Sequence, residues 1–223
     1  RRSAMTSVME ALEGRWLCSH AVVPLKVKVP KYVTGSHTYA DATFKAANWQ
    51  TTDVAIGAGG TASGVQVKNG GDPGPYRLVT TTVASGQADS VLFGFQADAK
   101  ATFNPAKQGA ITTLDYAEAN KLFSGFGQGQ RTGPALEQSG QVYFLLDQFL
   151  DTPSTKWTKV KATGLTAVDF STATDATAHP DFSQTAAPIE FGFFRANSAG
   201  YSGYTIAAGI DDWSVKVHTR KLV

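Results

Sequence analysis

The sequence predicts an all-β domain, two antiparallel sheets packed face to face as a β-sandwich of the jelly-roll kind. Three observations carry that expectation. Helix-rich chains lean on Glu, Lys, Arg and Leu, whereas these 223 residues hold five Glu and 22 Gly, with Ala, Ser and Thr abundant. Apolar and polar residues alternate over short runs, the period of half-buried strands. The runs are separated by turn residues and not by helical patterns, so neighbouring strands pair antiparallel and bury their apolar faces sheet against sheet. The chain exceeds an immunoglobulin module in length and better suits a jelly roll.

The elements follow in order. TYADATFK alternates over eight residues, and ASGVQVKNGGDPGPYRLVTTTV reads as two strands around the dense turn signal KNGGDPGP. SVLFGFQA, AITTLDYAEA, QVYFLLDQF, WTKVKAT, IEFGFFRAN and YTIAAGIDDWSVKVHT continue the series, for about nine to eleven strands in all. Gly94 and Gly192 fall inside strands, where a missing side chain points to a bulge or a close approach. The helix candidates are single turns, in GLTAVDF and in part of DYAEANKLF. Thr172 to Pro188 is polar and aperiodic, a loop at the rim of the sandwich.

Residues 1–35 differ from the rest. Arg1, Arg2, Arg15, Lys26, Lys28 and Lys31 stand there against Glu10 and Glu13, so the overall charge of +2 conceals a slightly acidic body. A body without a basic stripe excludes nucleic acid as the expected partner. No stretch approaches 18 consecutive apolar residues, so no membrane-spanning helix is expected. The one cysteine, Cys18, leaves no intrachain disulfide. Residues 1–35 are therefore expected to form an export, sorting or disordered segment, and 36–223 the sandwich. Within that segment, LEGRWLCSHA resembles the Leu-Glu-Pro-Arg sorting motif near the N-termini of some bacterial surface proteins; Glu13 and Arg15 match and Gly14 replaces the proline.

The runs GDPGPYRLVT, WTKVKATGLTAVDF, HPDFS, PIEFGFFRANS and GYTIAAGIDDWSVKV, in that order, resemble a group of uncharacterised secreted bacterial jelly-roll proteins. Many of that group carry a C-terminal Pro-Glu-Pro sorting tail, and their domains resemble the concanavalin A-like and laminin G-like sandwiches. The resemblance runs from about Trp49 to Val217. It implies a fold and a secreted or cell-surface location, and no particular activity.

Hydrolysis of a glycan needs two carboxylates converging on one bond, about 5 to 9.5 Å apart. Neither E-x-D nor E-x-D-x-x-E occurs; Asp115 and Glu118 point to opposite faces of a regular strand, and Glu190 opens a strand alone. Gly200-Tyr201-Ser202-Gly203 lacks the strand-to-helix context of a nucleophile elbow. His20, His37, His179 and His218 are dispersed, with His179 expected to brace its loop, and no ligand spacing for zinc is present. GAGGTASG precedes no helix and so cradles no phosphate. Asp211-Asp212 resembles the last-strand acidic position that serves structural calcium in several jelly-roll carbohydrate-binding modules, which makes the pair a candidate Ca2+ site. The competing expectation is that Asp211 accepts turn amides while Asp212 is solvated.

Sugar rings stack on flat apolar faces with a polar edge, so exposed Trp and Tyr are the candidate ligand contacts. Tyr201 and Tyr204 in NSAGYSGY, together with Trp49 and Tyr76, are the expected binding residues; Trp157 and Trp213 are expected in the core. The leading expectation is a non-catalytic extracellular or cell-surface domain that binds a polysaccharide or surface glycan or belongs to the matrix. The alternatives are a glycan-active enzyme of glucanase or lyase type and a purely structural or adhesive protein.

Overall fold

The first sheet is assembled around the longest of the described strands, Tyr204–Leu222. A computed structural model describes residues 30–85, 90–125, 129–147 and 150–223. The unit they form, Lys31–Val223, contains strands β1 (Tyr32–Asp41), β2 (Trp49–Ile56), β3 (Gly60–Gly71), β4 (Gly74–Val83), β5 (Ser90–Phe103), β6 (Ala110–Ser124) and β7 (Arg131–Gln138). They are followed by β8 (Gln141–Leu145), β9 (Leu150–Asp151), β10 (Thr158–Leu165), β11 (Phe170–Ser171), β12 (Ile189–Ala199) and β13 (Tyr204–Leu222). One sheet runs β10-β6-β13-β4-β3, with β1 also paired to β13. The other runs β11-β8-β7-β12-β5-β2, with β9 paired to β7, and every pairing among the described strands is antiparallel. The chain is the all-β, two-sheet sandwich that the alternation predicts.

Most of the expected segments form strands. The KNGGDPGP turn closes the β3–β4 hairpin at Asp72 and Pro73, and GLTAVDF supplies a 3-10 turn at Ala167–Asp169. DYAEANKLF differs from its expected helical turn: it lies wholly within β6, where alternate residues reach the core. The first strand begins at Tyr32, inside the segment assigned to export or sorting; residues 1–29 lie outside the described residues.

Packing follows the parity of each strand. On β4, Val79, Thr81 and Val83 point inward while Tyr76 and Leu78 point outward; on β6, Leu114, Tyr116 and Leu122 point inward and Lys121 and Phe123 outward. β13 changes parity midway. Ile206, Ala208 and Ile210 are buried before the register shift between Asp211 and Ser214, and Trp213, Val215 and Val217 after it. Asp212 takes up the extra length with φ 50°. The core places Phe44, Trp49, Phe103, Phe191, Phe193 and Trp213 between the sheets, each large side chain adding about 1.5–3 kcal/mol through its burial. The second sheet carries another apolar cluster on its opposite face, built on Phe93, Phe95, Phe144 and Phe194. SVLFGFQA and IEFGFFRAN are thus apolar on both faces.

A polar seam crosses the interior. Arg195 donates to Glu118 at 3.0 Å, and Glu118 also accepts from Tyr116, Asn120 and Thr132. Every one of those groups is buried. Nearby, Arg77 donates twice to Gln96 at 2.9 and 2.8 Å and lies over the Trp49 ring. Burial pushes the Arg77 guanidinium down to about 10, against the opposing pull of Asp41, so it stays charged at neutral pH.

Candidate functional site

On the outer face of the first sheet, alternation and register build an aromatic platform. Val65 faces Leu78, Leu78 faces Gly209, and Gly209 faces Lys121, one row across four strands. Gly209 is the centre. A Cβ there would stand 2.8 Å from Phe123, 2.8 Å from Trp157 and 3.0 Å from Tyr76, so only glycine lets the three rings converge. Tyr76 and Phe123 stack in parallel, with centroids 5.1 Å apart and planes 3° apart. Trp157, just before β10, meets Tyr76 edge-on at 5.4 Å, and its Nε1–H donates to the Gly70 carbonyl at 2.9 Å. That bond ties the edge strand to the β3–β4 hairpin. Phe123 is 40% exposed and Trp157 half-buried, whereas Tyr76 lies beneath them as the floor. The Lys121 ammonium stands 4.7 Å from the Phe123 ring and 5.9 Å from Trp157.

The platform borders a cleft of about 430 Å³ lined by Ala117, Glu118, Lys159, Val160, Lys161 and Asp212. The β13 bulge lies at this cleft, with Asp212 part of its lining. Asp211 is fully buried there; one carboxylate oxygen accepts the Asp72 N–H and the other accepts the Asp212 N–H at 2.7 Å. Burial pushes its carboxyl above the ordinary aspartate value, the two amides pull it down, and the charges of Asp212 and Asp72 raise it further. Lys159 holds Asp212 at 3.0 Å and Asp72 at 4.0 Å. This donor set does not fit calcium. The ion requires six to eight oxygens, yet both Asp211 oxygens are taken by amides and an ammonium group already lies against Asp212 and Asp72. Among the described residues, no three His, Cys, Asp or Glu are grouped to hold a metal. Asp211 therefore takes the turn-amide role, and the expected Asp211–Asp212 ion site is replaced by a tethered lysine.

The other predicted residues are scattered. Trp49 is corrected from ligand contact to core: it is 5% exposed, packed on Phe44, Phe193 and Trp213, with its Nε1–H on Asp41 at 2.8 Å. Trp157 is corrected in the opposite direction, from core to outer face, because it packs on the outward rings of Tyr76 and Phe123 with no third sheet above it. Trp213 is in the core as expected. Tyr201 is 84% exposed in the β12–β13 loop. Tyr204 is half-buried, its hydroxyl donating to Ser198 O at 2.6 Å, and neither tyrosine joins the platform rings. The His179 ring bonds the Phe170 carbonyl at 2.7 Å, bracing the loop. A second, polar cleft of about 290 Å³ is lined by Tyr39, Asp41, Lys45, Asp98 and Lys100 among others. Asp41 is saturated there: burial pushes its carboxyl up, but bonds from Thr43, Trp49 and Phe44 outweigh that and hold it below the usual value.

No protein-family model matches the sequence, and no curated protein matches it. Among solved structures, the chain is similar to a family 11 carbohydrate-binding module from Clostridium thermocellum in complex with a β-1,3-1,4-mixed-linked tetrasaccharide. Identity is 13% and the TM-score 0.46, over 82% of this chain and 95% of that one. It is also similar to a xylan-binding domain of family 22 at 12% identity and TM-score 0.38, over 80% and 93% of the two chains. A family 61 module in complex with β-1,4-galactotriose gives 9% and 0.34, over 75% and 86%. Superposition at this level says nothing about ligand or activity.

Proposed function

We propose that this sandwich is a non-catalytic carbohydrate-binding domain acting outside the cell, with the Tyr76–Phe123–Trp157 platform as its binding surface. The carrying observation is the convergence of three rings over Gly209 on an outer sheet face, with Phe123 and Trp157 accessible. Such a face stacks on the C–H side of a sugar, and the adjoining cleft extends the track along the sheet. Secretion accords with the resemblance noted in the sequence, and no helix among the described residues is long and apolar enough to cross a membrane. Affinity electrophoresis against a panel of soluble polysaccharides tests the reading. The intact chain should be retarded by at least one polymer, and Trp157→Ala and Phe123→Ala should each weaken that interaction about tenfold or more, tenfold being about 1.4 kcal/mol. Unchanged retardation in both variants, with folding intact by circular dichroism, would remove the platform from the function.

One observation favours a glycan-cleaving enzyme. Glu137 and Glu190 lie directly opposite each other on β7 and β12, and directly opposed Cβ atoms are about 4.5–5.5 Å apart. Neither carboxylate lines the platform cleft or the Asp41–Asp98 cleft. Release of reducing ends from the bound polymer, abolished in Glu190→Gln, would establish that reading in place of the non-catalytic one.

A further inference from the structure

The face that carries the platform holds Lys121, Lys156, Lys159 and Lys161 beside Asp72, Asp115, Asp211 and Asp212, but the two signs are unevenly paired. Lys121 lies over two of the rings, Lys156 adjoins Trp157 in the turn before β10, and Lys161 lines the cleft. None of these three is in an ion pair among the described residues. The aspartates of this face are already engaged: Asp212 and Asp72 by Lys159, Asp115 by His218 at 2.7 Å, and Asp211 by amides. Three ammonium groups are therefore left over beside a surface that stacks on rings. Trp157 immediately precedes β10 and Lys161 lies within it four residues on, roughly 13 Å away at the usual rise. That spacing suits a chain of several sugars carrying repeated negative groups.

We infer that the ligand of this face is an anionic polysaccharide, whose sugar rings stack on Trp157 and Phe123 while its carboxylate or sulfate groups meet Lys121, Lys156 and Lys161. The inference rests on the carbohydrate-binding reading and adds the class of ligand to it. Lysines act as point charges here, so the attraction is long-ranged and screened by salt.

Affinity electrophoresis and isothermal titration calorimetry with four polymers distinguish the cases: polygalacturonate for carboxylate, carrageenan for sulfate ester, and arabinoxylan and mixed-linkage glucan as neutral controls. The expected result is binding to one or both anionic polymers, weakened about tenfold between 0.05 and 0.5 M NaCl. Binding should fall about fivefold or more in Lys121→Gln/Lys161→Gln and about tenfold or more in Trp157→Ala. Preference for the carboxylated or the sulfated polymer identifies the anionic group. Equal binding to the neutral polymers, indifferent to salt and to the lysine substitutions, would overturn this inference and leave the carbohydrate-binding reading standing. Salt-sensitive binding that survives Trp157→Ala and Phe123→Ala would mean ion exchange away from the platform and overturn it as well. No binding to any polymer by folded protein would overturn both.

Discussion

Single atoms decide whether the platform exists. Gly209→Ala would put a methyl carbon within 3.0 Å of all three rings, which forces at least one of them away. About 1–3 kcal/mol of stability should be lost, read from urea unfolding, and the Trp157 emission should shift as its packing loosens. A variant with wild-type stability and polymer binding would show that the rings tolerate the displacement. At the interior seam, Glu118 balances Arg195 and accepts from Tyr116, Asn120 and Thr132. Glu118→Gln leaves that guanidinium buried without a counter-charge and should cost about 3–5 kcal/mol, whereas replacing both by apolar residues of similar volume should cost far less. A mild loss in Glu118→Gln alone would show that the seam is not ionic. Neither residue's role was legible beforehand: Glu118 was one of five glutamates, and nothing local marks which glutamate will face an arginine 77 positions away.

At the scale of strands, pairing brings together groups that are remote in sequence. Burial first, then the charges of Glu137 and Asp98, push the Glu190 carboxyl above the usual glutamate value. A raised carboxyl pKa means the folded state holds its proton more tightly than the unfolded chain. The pair therefore costs nothing below the unfolded value near 4.3, and its cost appears as pH rises through the folded value. Glu190→Gln should raise the melting temperature at pH 7 by the equivalent of a few tenths of a kcal/mol, the side chain being part-exposed, and leave it unchanged at pH 3.5. A gain of equal size at both pH values would point to packing in place of charge. The strands themselves were largely readable. Gly94 and Gly192 mark close approaches as expected, to Ala62 and to the Gln96 backbone. The parity break in β13 can also be read in the sequence, since Ile206, Ala208 and Ile210 give way to Trp213, Val215 and Val217. Asp211-Asp212 sits on that break, which is why Asp211 serves turn amides.

For the whole molecule, the ammonium of Lys159 takes the place a cation would occupy between the β13 bulge and the β3–β4 turn. Thermal unfolding of the intact chain should accordingly be indifferent to millimolar calcium and to chelator. A clear rise of the melting temperature with calcium would mean that Lys159 swings aside for the ion. Lysines without a carboxylate partner stand on the platform face, while Glu137, Glu190 and Asp98 influence one another elsewhere. The residues of this face come from β4, β6 and β13 and from the turn before β10, so no contiguous motif announces it. Alternation, turn residues and the shortage of helix formers were enough to determine a two-sheet antiparallel sandwich, because strand period and turn chemistry are local properties of the chain. Which tryptophan is buried and which is exposed was decided only by the tertiary structure. Trp49 and Trp157 both stand at the start of apolar–polar runs that form edge strands, but one side chain faces the opposing sheet and the other the outer face, and exposure depends on what packs above a side chain and not on its neighbours in sequence.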